Sequence, residues 1–130
     1  MKSGEKNHFL LAIDIGNTSI SYGLFKSGRI SLFLFGNDNL IQRIDTFIRK
    51  SGGRCNYKVI ISSVNPNQLS KIRGFLRKRK TSVETHIIGR DVKPVIRHKY
   101  LRINKLGSDR LVNIFGAIKR LKLPVLIINF

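Results

Sequence analysis

Residues 12–24 read AIDIGNTSISYGL, and the reading of this stretch decides the fold. The apolar run begins at His8, and His8–Ile15 (HFLLAIDI) has the continuous hydrophobicity of a strand buried on both faces. Gly16-Asn17-Thr18 reads as a turn, and the apolar pattern resumes over Ser19–Phe25 as a second strand. The anomaly is Asp14, an acid at the end of a buried strand in a chain with only seven acids. Two readings stand. Asp before Gly is a common turn residue. Alternatively, the hairpin tip presents backbone N–H groups to an anion, with glycine allowing close approach. Asp14 would then hold a hydrated Mg²⁺ beside phosphates, and Asn17, Thr18 and Ser19 would add side-chain donors.

Working outward, Lys26-Ser27-Gly28-Arg29 reads as a hairpin connection in which Gly28 takes positive φ, and Ile30–Phe35 follows as a third strand. Asn39–Lys50 spaces Leu40, Ile41, Ile44, Phe47 and Ile48 along one helical face and ends at Gly52-Gly53. A strand over Tyr57–Ser62, a helix with Leu69, Ile72, Phe75 and Leu76 inward, and a short strand over Thr85–Ile88 come next. Asp91–Asn104 is basic and fits no single pattern. Asp109–Leu121 is amphipathic helix, and Val125–Phe130 reads as a closing buried strand. The order predicts an α/β domain, a mixed sheet with flanking helices, in one domain spanning residues 1–130.

The chain has 130 residues, 42% of them hydrophobic, enough for a modest core. Twenty-five Lys and Arg against seven Asp and Glu leave a net charge of +18. That balance suits nucleic acid, acidic membranes or small anions such as nucleotides, and it is equally the mark of a solvated basic surface. The one cluster, Arg77-Lys78-Arg79-Lys80, sits at a predicted helix C-terminus, where the dipole favours cations. A single cysteine, Cys55, excludes an internal disulfide and a cysteine-based zinc site. The N-terminus has no signal-peptide core, and no apolar run reaches membrane length. A soluble cytoplasmic protein without membrane contact is expected.

A second informative stretch is LGSDRLVNIFGA, residues 106–117. Gly107-Ser108-Asp109-Arg110 at a helix start offers free backbone donors, a carboxylate and a guanidinium within one turn. Asp109 could serve as a base and Arg110 as a carboxylate clamp. Ser108 or Asp109 as a plain helix cap, with Arg110 on the surface, is the structural alternative.

The first stretch resembles the first phosphate motif of the actin, Hsp70 and sugar-kinase superfamily. With I-S-S-V-x-P at 61–66 and L-G-x-D-R-x-x-N at 106–113, the chain resembles type III pantothenate kinase, the family that includes the Bvg accessory factor relatives. The resemblance implies a ribonuclease H-like, ASKHA-type N-terminal domain and ATP-dependent phosphorylation of pantothenate, the first step of coenzyme A synthesis. It implies Mg²⁺ and a monovalent cation, K⁺ or NH₄⁺. By position, Asp14, Ile15, Gly16, Asn17, Thr18, Ser19, Ile20 and Ser21 would form the ATP phosphate loop. Tyr100, Gly107, Ser108, Asp109 and Arg110 would line the pantothenate pocket, with Asp109 the catalytic base.

The chain departs from the family pattern at its end. The closing strand should carry an Asp, then Gly-Thr-Ala and a second domain. Here it reads Ile127-Ile128-Asn129-Phe130. Asn129 stands at the cation-binding position and offers a carbonyl oxygen without charge, weakening K⁺ or NH₄⁺ binding. Asn65 and Asn104 also depart from the pattern. The second domain is therefore expected to be absent after residue 130, leaving a truncated or split kinase with little activity alone. A homodimer or a separately encoded C-terminal half would be the partner. The alternative is a non-catalytic kinase-like module that binds nucleic acid or protein through its basic surface. A ribonuclease H-like nuclease needs more converging carboxylates than Asp14 and Asp109 supply.

Overall fold

The computed structural model describes residues 8–36, 39–50, 56–78 and 83–128. Five strands form one sheet: β1 His8–Ile15, β2 Ile20–Lys26, β3 Arg29–Phe35, β4 Asn56–Ser63 and β5 Val83–Ile87. Three helices accompany them: α1 Leu40–Lys50, α2 Pro66–Arg77 and α3 Ser108–Arg120. The strand order is β3-β2-β1-β4-β5. β1, β2 and β3 form the antiparallel meander, whereas β4 runs parallel to both β1 and β5. The sheet is mixed, as the sequence predicts.

Local chemistry accounts for the connections. Ser27 and Gly28 both have positive φ, at 50° and 75°, the primed geometry that suits the twist of a tight hairpin. Lys26 and Arg29 pair across it. α2 starts where Asn65 Oδ1 accepts the Gln68 N–H at 3.1 Å and Pro66 takes the first helical position.

Alternation along the strands splits the sheet into two unlike faces. Leu11, Ile13, Ile15, Ile20, Tyr22, Val59 and Ile61 point to one side and pack with Leu40, Ile44 and Ile48 of α1 and Ile72 and Leu76 of α2. Ile15, Ile44, Ile61, Ile72 and Val59 are the most deeply buried. Each such side chain contributes about 1.5–3 kcal/mol by leaving water. The second face carries Ala12, Asp14, Ser21, Gly23, Phe25, Ile60 and Ser62, and α3 covers it only in part.

One expectation needs correction here. Val125–Ile128 belongs to no strand; Leu126 is 85% and Ile128 66% exposed. An apolar run becomes a strand only by pairing its backbone with a neighbour, and neither edge strand, β3 or β5, pairs with it. The apolar residues of α3 stay partly open to water: Val112 and Ile118 are exposed, and no α3 residue is fully buried. Asp91–Asn104 is largely irregular, with Val92 bridging to Ile88 and one 3-10 turn at Ile103–Lys105. Cys55, Gly52-Gly53, Arg79-Lys80, Asn129 and Phe130 lie outside the described residues.

Candidate functional site

β1 and β4 run parallel, so their carboxyl ends meet at one edge of the sheet, where ligands of open α/β sheets gather. Asp14 stands there in register with Ser21 of β2 on one side and Ser62 of β4 on the other. The three side chains share the open face. Ile15 and Ile20, the neighbours of the connecting loop, turn into the core instead. They can offer a ligand only backbone.

The loop itself is tight. The Gly16 N–H donates to Ser19 O at 2.9 Å, and a Cβ on Gly16 would lie 3.0 Å from that carbonyl. Glycine suits this close approach, and its φ does not demand it. The same bond occupies the Gly16 N–H, so that group is not free for an anion, contrary to the simplest phosphate-loop reading. Asn17 and Thr18 project from the tip and are exposed.

α3 brings the second motif to this edge. Gly107 is its N-cap and makes no side-chain cap bond. Ser108 does not cap the helix either. Its Oγ donates to Ser63 O at 3.1 Å and accepts the Ser63 N–H at 3.2 Å, with Ser62 Oγ also 3.2 Å away. A hydroxyl has one proton, so Ser62 is the donor to Ser108. The Ser63 hydroxyl donates to Asn65 O and receives the Asn65 N–H, continuing the chain of bonds into the start of α2.

That clamp sets Asp109 over the open face. Asp14, Ser21, Ser62, Asp109 and Asn113 line one cleft of about 280 Å³, floored by Ala12, Gly23 and Ile60. Gly107 lies so close to Asp109 that an added Cβ would collide with the carboxylate oxygen. Arg110 points to solvent, and Tyr100 is 58% exposed in the irregular segment. Neither lines this cleft. A second cavity of about 450 Å³ flanks the other side of the α3 N-terminus, with Lys93, His98, Ser108 and Leu111 in its walls.

The fate of the scarce acids is informative. Asp45 pairs with Arg49, Glu84 with Lys58 and His86, and Asp91 with Arg90. The His86 hydrogen bond, then the Lys58 charge, lower the Glu84 pKa. The Arg90 guanidinium and the Ile87 N–H hold the Asp91 carboxyl at about 2. Asp14 and Asp109 have no ion-pair partner among the described residues. In a chain with 25 cationic side chains, the two acids left without an ion-pair partner among the described residues face the same cleft.

Ser62, Ser63 and Asn113 are the site residues that sequence reasoning did not single out. Their signal was present in I-S-S-V-x-P and L-G-x-D-R-x-x-N: a polar pair closing an otherwise apolar strand, and an Asn one helical turn after Asp109. Among the described residues no group of three or more potential metal ligands converges, and no helix is long and apolar enough to cross a membrane.

A family profile described as type III pantothenate kinase matches residues 10–130. The type III pantothenate kinase of Sulfurihydrogenibium sp. is 32% identical over 131 residues, covering 93% of this chain and 51% of the relative. That of Finegoldia magna is 31% identical over 129 residues, covering 92% and 49%. The chain thus spans about half the length of these curated relatives. With both motifs meeting at one cleft and the profile covering nearly all of its length, the chain belongs to the type III pantothenate kinase family.

Proposed function

We propose that the cleft between β1, β4 and α3 is the phosphoryl-transfer site of a pantothenate kinase. The presence of Asp14 and Asp109 in one cleft, each without an ion-pair partner among the described residues, carries this reading. The hairpin Asp14–Ser21 receives the ATP phosphates, with Asn17, Thr18, Ser19 and Ser21 as side-chain donors. Pantothenate binds beside Gly107–Arg110, and Arg110 and Tyr100, which lie outside the cleft here, contact its carboxylate only after turning toward it. The domain is of the ASKHA type, with the open sheet face toward the substrates.

Phosphoryl transfer demands alignment and charge management more than covalent chemistry. Asp109 accepts the proton of the terminal hydroxyl of pantothenate. The hydroxyl oxygen forms a bond to the γ-phosphorus, and the bond from that phosphorus to the β,γ-bridging oxygen breaks, releasing ADP. The Ser108 clamp fixes Asp109 for this role, since α3 cannot rotate without breaking the bonds to Ser62 and Ser63.

The residues present fit a hydrated Mg²⁺. Asp14 is exposed to the cleft, is flanked by two serine hydroxyls, and is one carboxylate of the kind that holds this ion through water. When bound, the ion would offset charge on the phosphate oxygens. The position assigned to K⁺ or NH₄⁺, Asn129, lies outside the described residues.

These 130 residues form one wall of the cleft, and α3 leaves Val112 and Ile118 open to water. Desolvation of the reacting groups needs a second wall. A domain supplying only this wall therefore has little or no kinase activity by itself, and further polypeptide supplies the second wall in the cytoplasm. The test is ATP-dependent phosphorylation of labelled pantothenate by the purified chain. Robust turnover by the chain alone would overturn the one-wall account, and turnover insensitive to Asp109→Asn would overturn the assignment of the base.

A further inference from the structure

A groove of about 240 Å³ lies away from this cleft, between α2 and the edge strand β5, and is lined by Arg73, Leu76, Arg77, Val83, Thr85 and Arg90. Three of its six lining residues are arginines. Arg73 and Arg77 stand one turn apart on α2, so their side chains leave the helix on the same side. α2 contains no acid, and neither arginine has an ion-pair partner among the described residues. Arg90 enters from beyond β5, and Asp91 fixes it through Nε and Nη2 at 2.8 and 2.9 Å.

Arg77 in the last turn complements the helix dipole and Arg90 is held by Asp91, but neither accounts for Arg73, which stands beside Arg77 on the same groove. Holding like charges together is unfavourable unless an anion joins them. We propose that this groove binds a phosphate-bearing anion with at least two negative charges, gripped by the guanidiniums of Arg73 and Arg77 and bordered by Arg90. Guanidinium forks match phosphate oxygens in pairs, which lysines do not. The Thr85 hydroxyl is a further donor, and Leu76 and Val83 exclude water from one side. The volume is below the roughly 300–1,000 Å³ of pockets that enclose whole ligands. A compact oligophosphate or one stretch of nucleic-acid backbone fits. The inference is independent of the kinase assignment, because none of these residues lines the Asp14–Asp109 cleft.

The test is calorimetric titration of the purified chain with inorganic tripolyphosphate, alongside anisotropy titration with a labelled single-stranded oligonucleotide. Arg73→Gln/Arg77→Gln is compared with Lys119→Gln/Arg120→Gln, which removes the same charge from the end of α3. Circular dichroism verifies that both variants fold. The expected result is saturable binding of at least one probe, weakened at least tenfold in the α2 variant and less than threefold in the α3 variant. Tripolyphosphate alone binding identifies a free oligophosphate. Tight oligonucleotide binding, with a log–log salt slope about 1.4 shallower in the α2 variant, identifies a nucleic-acid backbone. No binding, or equal weakening in both variants, would overturn the proposal and leave only diffuse positive charge.

Discussion

Ser108 Oγ lies 3.2 Å from Ser62 Oγ and holds both the N–H and the C=O of Ser63. Through this contact the first turn of α3 is tied to the carboxyl end of β4, and Asp109 is carried to the cleft that Asp14 lines. Removing the hydroxyl should cost about 1–3 kcal/mol, because it orphans groups that are partly withdrawn from water. Ser108→Ala should therefore lower the denaturant midpoint without changing the m-value. It should also speed amide exchange in α3 more than in α2. Unchanged exchange in α3 would mean that the helix is held by other contacts.

Gly107 poses a different constraint. A methyl group there meets the Asp109 carboxylate, the movable end of a side chain, while its next neighbours are at ordinary distance, with Val64 Cγ1 at 3.6 Å. Gly107→Ala should leave stability within about 1 kcal/mol of the parent but rotate the Asp109 carboxylate out of place. The Asp109 carboxyl carbon shift in NMR should move while the β1 and β4 amides stay fixed.

Two glycines are predicted to behave in opposite ways. A Cβ on Gly16 would press on the Ser19 carbonyl, which is backbone and cannot swing aside, so Gly16→Ala should destabilise by about 1–3 kcal/mol. Gly116 is exposed in α3 with nothing within 4 Å of its Cβ position, so Gly116→Ala should stabilise by roughly 0.5–1 kcal/mol. Chemical unfolding of the two variants measures both signs.

Asp91 links the turn after β5 to pH. Its carboxyl accepts the Ile87 N–H and the Arg90 guanidinium, and its pKa falls from 3.8 to about 2. The folded pKa lies below the unfolded one, so the contribution is full above about pH 4 and is lost as pH falls through about 2. Asp91→Asn should open the 87–92 turn at neutral pH, seen as faster Ile87 amide exchange. The difference from the parent should vanish in the most acidic range.

The meander and the helices were legible in the sequence because their signals are local. The Ser27-Gly28 turn, the Asn65-Pro66 helix start and the apolar face of α1 each follow from a few adjacent residues. Val125–Ile128 was misread because composition reports burial tendency and a strand also requires a neighbour to pair with. The alternative of Ser108 as a plain helix cap does not hold for a related reason. Its partners, Ser62 and Ser63, are distant in the chain, and a hydroxyl bonded to them is not available to its own helix. Asp14 and Asp109 were both identifiable by type and position. That each has no ion-pair partner among the described residues is a tertiary fact, visible only once Asp45, Glu84 and Asp91 are seen with their partners.

The most direct test of the account is conversion of labelled pantothenate to its phosphate ester with ATP, by this chain supplied with the complementary half of the Sulfurihydrogenibium relative. The account predicts product from the mixture, little or none from either half alone, and a fall of about 10²–10⁴-fold with Asp109→Asn. No product from the mixture, or an undiminished rate with Asp109→Asn, would contradict it.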